Sequence, residues 1–328
     1  MYRERVELFK ELEKRLGRKV ILYVTGDRQN FETQIGQDAI DIFINQLNKI
    51  GHADKLSLYL YTRGGDVAAA WNIINLLRLY CNDLQVIIPH KAHSSGTLMS
   101  IGANSIIMTK QATLGPIDPS LNTPLNPQIP GAPPMHTYPV SVEAVKGYLE
   151  FAKNELGIKD DIALSNILIK LSEYVHPLVL GQVYRSRAQI KMLAERLLTN
   201  QVSDPDKIKG IISFLCSDSG SHDYTINKRE AKDNLKLNVI EPEDPIIYDV
   251  IENIYNDFCD EMELNKPFDP MEMINSGNAY RIKGVLIESI YAGSDYFSYE
   301  GKMSQVPQGI NDQRVGGWKH EYAETNPE

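Results

Sequence analysis

Apolar residues in the first third of the chain follow two alternating spacings, one typical of strands and one typical of helices. Four short β-rich runs cover residues 20–24, 56–61, 86–88 and 105–108. Between them lie segments with helical spacing or with small residues that suit a helix, at 36–50, 67–77 and 97–102. Strands that alternate with helices predict an α/β architecture with parallel strand pairs and flanking helices.

The pattern changes after residue 115. Residues 116–139 contain eight of the 17 prolines, which predicts a long irregular loop. Such a loop can line a cleft or form a rigid surface excursion, and both interpretations stay open. Helical periodicity then returns, and a turn, a short helix and a strand are expected at 222–240. The predicted helices cover residues 140–156, 160–173, 178–199 and 205–215.

The last part of the chain differs in composition. Residues 241–263 hold nine Asp or Glu and no Lys or Arg, which predicts a solvated acidic helix. Residues 265–328 are rich in Gly, Ser, Asn and Tyr, with one apolar run at 284–287, and are expected to form an oligomerisation arm or to be partly disordered. We therefore predict one domain over residues 1–245 and an extension over 246–328.

Composition narrows the functional classes. The 328 residues are 42% hydrophobic and 23% charged, as in soluble globular proteins, and the net charge of −9 argues against a nucleic-acid coat. The three cysteines are widely spaced, so neither a zinc site nor a disulfide framework is expected. With no apolar run of about 18 residues, the expected location is the cytoplasm.

Two glycine-containing junctions between a strand and a helix are the strongest candidates for chemistry. They are Thr62-Arg63-Gly64-Gly65-Asp66 and Ala92-His93-Ser94-Ser95-Gly96-Thr97. Each places backbone N–H groups at a helix N-terminus, where negative charge is stabilised. A serine beside such N–H groups can act as a nucleophile, although each motif alone is more often a turn or a helix cap.

Together with the loop Gly115-Pro116-Ile117-Asp118-Pro119, these junctions resemble the Clp-protease and signal-peptide-peptidase serine peptidases of the crotonase-like fold. The resemblance covers about residues 20–239 and is strongest to the branch called serine dehydrogenase proteinases. It implies a ClpP/crotonase-like fold of repeated ββα units for residues 1–245. The implied activity is that of a serine endopeptidase.

The resemblance also implies roles for individual residues. Ser95 would be the nucleophile, favoured over Ser94 because Gly96 follows it directly. The N–H groups of Gly65 (or Gly64) and Gly96 would form the oxyanion hole, where a strong donor contributes roughly 3–4 kcal/mol.

The general base is less clear, because no histidine follows the fourth strand. His222 lies beside the position where the family places a triad member, with Asp118 or Asp223 to orient its ring. Lys110 and Lys170 are rival bases by analogy with a Ser/Lys dyad. His93 is interpreted as a wall of the site or a core residue.

Two other functions stay open on the same fold. An acyl-CoA hydratase or isomerase would use the N–H groups for an enolate, with Asp118 as base. A pseudo-peptidase scaffold would lack catalysis. For the peptidase we expect a peptide or protein substrate, with membrane-protein tails included, and a homo-oligomer. Metal ions, organic cofactors and nucleic acid are not expected.

Overall fold

The computed structural model describes residues 2–117, 120–121, 123–131, 136–218, 223–276, 279–307 and 309–322. Elements of the first part of the chain are α1 (Tyr2–Leu16), β1 (Lys19–Thr25), α2 (Ala39–Ile50), β2 (Ala53–Tyr61), α3 (Val67–Leu79), β3 (Cys81–Ile88), β4 (Lys91–Ala92), α4 (Ser95–Ile101), β5 (Ser105–Met108) and β6 (Thr113–Leu114). Those of the second part are β7 (Ser120–Leu121), β8 (Val140–Ser141), α5 (Val142–Glu150), α6 (Asp161–Tyr174), α7 (Pro177–Leu198), α8 (Pro205–Ser213), β9 (Ile226–Asn227), α9 (Ile246–Glu261), α10 (Pro270–Ser276), β10 (Ala279–Ser289), β11 (Gly293–Val306) and β12 (Gly309–Glu321). π-Helical turns cover Phe151–Glu155, Phe214–Asp218 and Glu230–Asn234.

A seven-stranded sheet has the order β12-β11-β10-β1-β2-β3-β5. Strands β1, β2, β3 and β5 are parallel, whereas β10 pairs antiparallel with β1 and continues through β11 to β12. Both faces of the parallel part are covered, which explains why β1 is an almost unbroken apolar run. The predicted α/β class, with parallel strands and flanking helices, is confirmed.

Helices cover both faces of this sheet. On one face, Val20, Leu22 and Val24 of β1 join a buried cluster with residues of α1 and α9. Alternate residues of β1 point to the other face, where Tyr23 packs edge-to-face on Phe43 of α2 at 5.1 Å between ring centroids. The sheet therefore holds its loops at the carboxyl ends of β1, β2 and β3 on a rigid base.

A buried ion cluster joins α1 to α9 and β10. The Arg5 guanidinium is fully buried and forms a bidentate ion pair with Glu288, at 2.8 and 2.9 Å. It also pairs with Asp257 and Glu261 of α9. Burial acts to raise the pKa of Glu261, but Arg5 and Lys283 outweigh it and lower that pKa below its usual value. The acidic α9 is thus neutralised on one face and is not fully solvated, contrary to expectation.

The chain forms two compact units. The first comprises residues 1–115, 197–203 and 225–328, and the second comprises 116–196 and 204–224. In the second unit, Val140, Val179 and Val183 form a small buried cluster, whereas α6 buries none of its side chains. No helix among the described residues is both long and apolar enough to cross a membrane.

The C-terminal part is more ordered than its composition indicated. Residues 279–289, 293–306 and 309–321 form the long strands β10, β11 and β12, in place of the partial disorder that was one expectation for 265–328. These strands belong to the same compact unit as β1, so the units are divided differently from the domains 1–245 and 246–328. A separate role for 246–328 in assembly stays a prediction.

Candidate active site

Three segments singled out in the sequence meet at one end of the parallel strands. The end of β2 pairs with β4, since the Thr62 amide donates to the Lys91 carbonyl at 3.1 Å and the His93 amide donates to the Thr62 carbonyl at 3.0 Å. Strand β4 pairs in turn with β6, which leads to Gly115. The Gly115 amide donates to the Thr97 Oγ1 at 3.0 Å, so α4 is fixed to this third segment.

The Gly64–Gly65 turn adopts a backbone conformation that other residues rarely take, with φ of 112° and 145°. Close approach of other groups also requires glycine here. A Cβ on Gly65 would lie 2.5 Å from backbone atoms of Ile35, and a Cβ on Gly64 would lie 2.8 Å from the Ser94 Cβ. The turn is therefore held between the backbone of Ile35 and the side chain of Ser94.

Ser94 has the backbone geometry of a residue held under strain. Its φ of 51° and ψ of −116° lie in a region that non-glycine residues seldom occupy. The side chain is half-buried and lies directly before α4. The Oγ would be 3.4 Å from a Cβ placed on Gly64, which brings this hydroxyl beside the Gly-Gly turn.

Ser95, the nucleophile predicted from the sequence, has a different environment. It is the first residue of α4 and has no exposed surface. Its Oγ is buried and lacks a hydrogen-bond partner among the described residues. As placed, this hydroxyl is inaccessible to a bound carbonyl, so the geometry favours the rival Ser94.

The backbone amides of the predicted oxyanion hole differ in availability. The Gly64 amide donates to the Thr62 Oγ1 at 2.9 Å, and the Gly96 amide donates to the His93 carbonyl at 2.8 Å, so both are already engaged. Within the described chain, the amides of Gly65 and Ser95 have no acceptor. Gly96 has a steric role instead, because a Cβ there would lie 2.5 Å from the Thr62 Cγ2.

Two of the three predicted acid–base residues lie outside the part of the chain that the structure describes. His222 and Asp118 lie outside the described residues, and Asp223 is an exposed turn residue. Among the rival bases, Lys110 is exposed, and the Lys170 ammonium pairs with Glu173 one turn along α6 at 2.5 Å. Their catalytic roles stay predictions.

His93 lies beside the site as a fixed wall. Its Nε2 is 2.8 Å from the Thr113 Oγ1, and its ring packs where a Cβ on Gly115 would lie, at 3.3 Å. The Asp27 carboxylate accepts hydrogen bonds from the Tyr61 hydroxyl and the Lys91 ammonium, both at 2.7 Å. These bonds tie the ends of β1, β2 and β4 together without contacting Ser94.

Burial favours the neutral form of a neighbouring histidine, His90. Burial, and secondarily the charge of Lys91, lower the pKa of His90. Its ring stacks on Tyr255 at 5.5 Å between centroids, and its Nδ1 is buried with no partner among the described residues. His90 therefore contributes to packing between β3 and α9.

Sequence reasoning missed two contributors to this geometry. The Thr62 hydroxyl is 2.7 Å from the Thr25 Oγ1 and accepts the Gly64 amide, so it sets the conformation of the turn. Thr97 contacts both the Ala92 carbonyl and Gly115. In the sequence, each of these threonines stands at one end of a glycine-containing junction, and this position was the feature that could have indicated its role.

Solved structures with a similar trace include two of a 1510-N membrane-bound stomatin-specific protease. One is a serine-to-alanine mutant, with a TM-score of 0.39 and 14% identity over 69% of this chain and 81% of that one. The other is a lysine-to-alanine mutant in complex with a substrate peptide, with a TM-score of 0.39 and 15% identity over 69% of this chain and 77% of that one.

Similar proteins of known sequence include two uncharacterized proteins of Methanocaldococcus jannaschii. MJ0137 is 31% identical over 180 residues, which cover 54% of this chain and 51% of the relative. MJ1495 is 26% identical over 258 residues, which cover 76% of each chain. The chain thus spans about half the length of the first relative.

A family comparison covers the segments that build the site. The sequence model of the ClpP-like SDH-type serine proteinases matches residues 3–132, which include both glycine junctions and the loop from Gly115. This agrees with the resemblance stated from those motifs. Over residues 3–132, which are less than half of its length, the chain is therefore similar to the ClpP-like SDH-type serine proteinases.

Proposed function

We propose that the protein is a serine endopeptidase in which Ser94 is the nucleophile. The observation that carries this proposal is the strained backbone of Ser94, with φ of 51°, beside a Gly-Gly turn and before a helix. Strain in a short polar residue persists only where the surrounding structure imposes it, and it is concentrated at functional sites. This replaces the assignment to Ser95, whose hydroxyl is buried.

The first chemical step follows from this placement. The Ser94 Oγ attacks the carbonyl carbon of a peptide bond, a C–O bond forms, and the hydroxyl proton passes to a general base. The negative charge on the carbonyl oxygen is stabilised by the amides of Gly65 and Ser95, neither of which has an acceptor among the described residues. Ser95 thus acts through its N–H group and not through its hydroxyl.

The second step releases the amine. The tetrahedral intermediate collapses, the C–N bond breaks, and the base returns its proton to the leaving nitrogen. Water then gives a proton to the base and attacks the acyl carbon, the bond from that carbon to the Ser94 Oγ breaks, and the proton returns to the Oγ. For the base we retain His222, with Asp118 or Asp223 orienting its ring, because histidine exchanges protons near neutral pH.

Labelling by a fluorophosphonate probe tests the nucleophile. Ser94→Ala should abolish labelling, whereas Ser95→Ala, the matched control one residue away, should retain it because the amide is unchanged. Loss of labelling in Ser95→Ala alone, with an unchanged melting temperature, would restore the assignment to Ser95. No labelling of the wild-type protein, together with no cleavage of fluorescein-labelled casein, would favour the scaffold.

The base and the alternative chemistry need separate measurements. His222→Gln should lower the labelling rate at pH 7 and remove its rise between about pH 6 and 8. An unchanged rate, with loss in Lys110→Met, would indicate a Ser/Lys dyad. Turnover of crotonyl-CoA by Ser94→Ala would indicate the acyl-CoA enzyme instead.

For assembly, we propose a homo-oligomer acting on peptides or protein tails in the cytoplasm. Exposed apolar side chains on α6 support this, since Ile162 is 72% and Ile169 is 60% exposed. The double variant Ile162→Glu/Ile169→Glu should dissociate the oligomer in light scattering. A monomeric wild-type protein would contradict the assignment.

A further inference from the structure

A small aromatic pocket lies on the α2 side of the sheet, separate from the Ser94 hydroxyl. Its cavity of about 100 Å³ is lined by rings from three strands and by the residues that lead into α2. The lining aromatic side chains are Tyr23, Phe297, Tyr299 and Trp318. One water molecule occupies about 30 Å³ in the liquid, so the cavity has the volume of roughly three waters. This volume is suited to the end of a side chain.

The sheet register builds this arrangement. Phe297 pairs with Trp318 across β11 and β12, and Tyr299 lies two residues along on the same face. The Phe297 and Trp318 rings are perpendicular, with centroids 5.6 Å apart, and Tyr299 lies 5.0 Å from Phe297. Gly316 keeps this corner open, since a Cβ there would lie 2.7 Å from the Phe297 ring.

A carboxylate completes the pocket at its exposed rim. Asp38 occupies the cap position of α2, but its side chain makes no capping bond and accepts the Trp318 Nε1–H at 2.9 Å instead. The first amides of the helix are already used, because Ala39 and Ile40 donate to the carbonyls of Gly36 and Gln37. Two of the first amides of α2 are therefore engaged, and the exposed Asp38 carboxylate makes the rim negative.

The buried end of the pocket carries a neutral acceptor. Tyr23 has no exposed surface, and its hydroxyl makes no well-formed hydrogen bond among the described residues beyond a weak interaction with the Gly36 backbone. Burial, and secondarily Asp38, raise the pKa of this hydroxyl far above its usual value. It stays a phenol whose oxygen can accept a hydrogen bond.

Aromatic faces, one carboxylate and a buried oxygen acceptor are the groups that bind an organic cation. The same part of the sheet already holds one cation in this way, because the Arg314 guanidinium lies 5.8 Å from the Tyr299 ring centroid. An anion would meet Asp38, and a neutral apolar group would leave the Tyr23 hydroxyl unpaired. The pocket chemistry therefore favours an ammonium or a guanidinium.

The pocket is close enough to the proposed nucleophile to contact the same peptide. Gln34 lines the pocket, and its Cβ would be 3.0 Å from a Cβ on Gly65, while the Ser94 Cβ would be 2.8 Å from one on Gly64. Adjacent Cα atoms are about 3.8 Å apart, so the Gln34 and Ser94 Cβ atoms lie within about 13 Å. An extended peptide spans that distance in about four residues.

We propose that this pocket is a subsite for the charged end of a lysine or arginine side chain in the peptide substrate, within about four residues of the scissile bond. The identity of the occupant rests on the proposed peptidase function, whereas the preference for a cation rests on the pocket alone. The two parts are tested separately.

Binding is measured without catalysis. The chain has two tryptophans, so in a Trp71→Phe background the fluorescence reports Trp318 alone. Titration with n-butylammonium and ethylguanidinium should give a saturable change, with 1-butanol binding at least about tenfold more weakly. Equal binding of butanol, or no saturation by either cation, would overturn the cation site.

Variants assign the contacts. Asp38→Asn keeps an oxygen for the Trp318 N–H but removes the charge, and Phe297→Leu removes one aromatic face; each should weaken n-butylammonium binding about three- to tenfold. Asp41→Asn, in the first turn of the same helix, is the matched control and should leave binding unchanged. Equal effects of Asp38→Asn and Asp41→Asn would refute the role of Asp38.

Cleavage of a peptide library tests the substrate assignment. The wild-type protein should favour Lys or Arg at one position, and Asp38→Asn should lower kcat/KM about fivefold for those peptides only. Cation binding combined with cleavage that shows no basic preference would overturn the subsite. Cation binding with no cleavage of any peptide would instead contradict the peptidase function and leave the cation site intact.

Discussion

Substitution of Gly64 by alanine tests the contact between the Gly-Gly turn and Ser94, the proposed nucleophile. The new Cβ would lie 2.8 Å from the Ser94 Cβ and 3.0 Å from the His93 carbonyl oxygen. Neither neighbour is the flexible end of a long side chain. The backbone φ of 112° is also unfavourable for any residue with a Cβ.

The size of the effect follows from these distances. To restore ordinary contact at 3.4–4 Å, Ser94 and the turn must separate by about 1 Å. A displacement of about 1 Å of a reacting group can lower a rate about 100-fold, equivalent to about 2.7 kcal/mol in the barrier. The strained φ should lower the free energy of unfolding by about 1–3 kcal/mol in addition.

Gly17→Ala separates these two contributions. Gly17 also has a positive φ, of 61°, but a Cβ there has no atom within 4 Å. Both variants should therefore lose stability in urea denaturation, whereas only Gly64→Ala should lose about 100-fold in the rate of fluorophosphonate labelling. Wild-type labelling rates in a folded Gly64→Ala protein would show that the turn does not face the nucleophile.

Arg5→Met should lower the free energy of unfolding by about 3–5 kcal/mol, because Glu288 stays fully buried without its cation; a loss below about 1 kcal/mol in urea denaturation would contradict this. Thr97→Val should cost about 1–3 kcal/mol and slow labelling, since the Gly115 amide loses its buried acceptor; unchanged labelling would remove Thr97 from the positioning of the site. The lowered pKa of His90 means that the unfolded chain binds its proton more readily. The free energy of unfolding should therefore be unaffected by His90 above about pH 6.5 and should fall as the pH decreases below it. If the free energy of unfolding of His90→Phe falls equally steeply with decreasing pH, His90 is not the cause.

The first 115 residues were the predictable part of the fold. Strands β1, β2, β3 and β5 and the helices between them follow apolar spacing that local sequence reports directly. The helix α9 was found, but its burial was missed, because the partner of its carboxylates is Arg5, about 250 residues away. Acidic composition alone cannot reveal a cation that is supplied by another element.

Strand β11 shows a second limit of sequence patterns. It buries small hydroxyl side chains at Ser294 and Ser298 and carries Phe297 and Tyr299 on a half-buried face. Apolar residues and buried residues therefore do not coincide along this strand. Its length and order come from pairing on both sides, with β10 and β12, which no local pattern records.

The site was located but not resolved from sequence. Motif order predicted which segments form the candidate site, and the structure brings Thr62–Gly65, Ala92–Thr97 and Gly115 together. The choice between Ser94 and Ser95 depends on the φ angle of Ser94 and on the exposure of each side chain. The sequence shows two adjacent serines and contains no information on either property. A glycine directly after Ser95 matched the family pattern for a nucleophilic serine. In the structure, however, glycine is required at position 96 because a side chain there would collide with Thr62.

The antiparallel pairing of β1 with β10 has a consequence for synthesis on the ribosome. Residues 22–25 are joined to residues 285–288, so one edge of an early apolar strand stays open until residue 288 has emerged. Loop closure over such a separation is slow, and open strand edges attract other chains. Nascent and truncated forms that end before residue 279 should therefore depend on chaperones far more than forms that include residues 279–321.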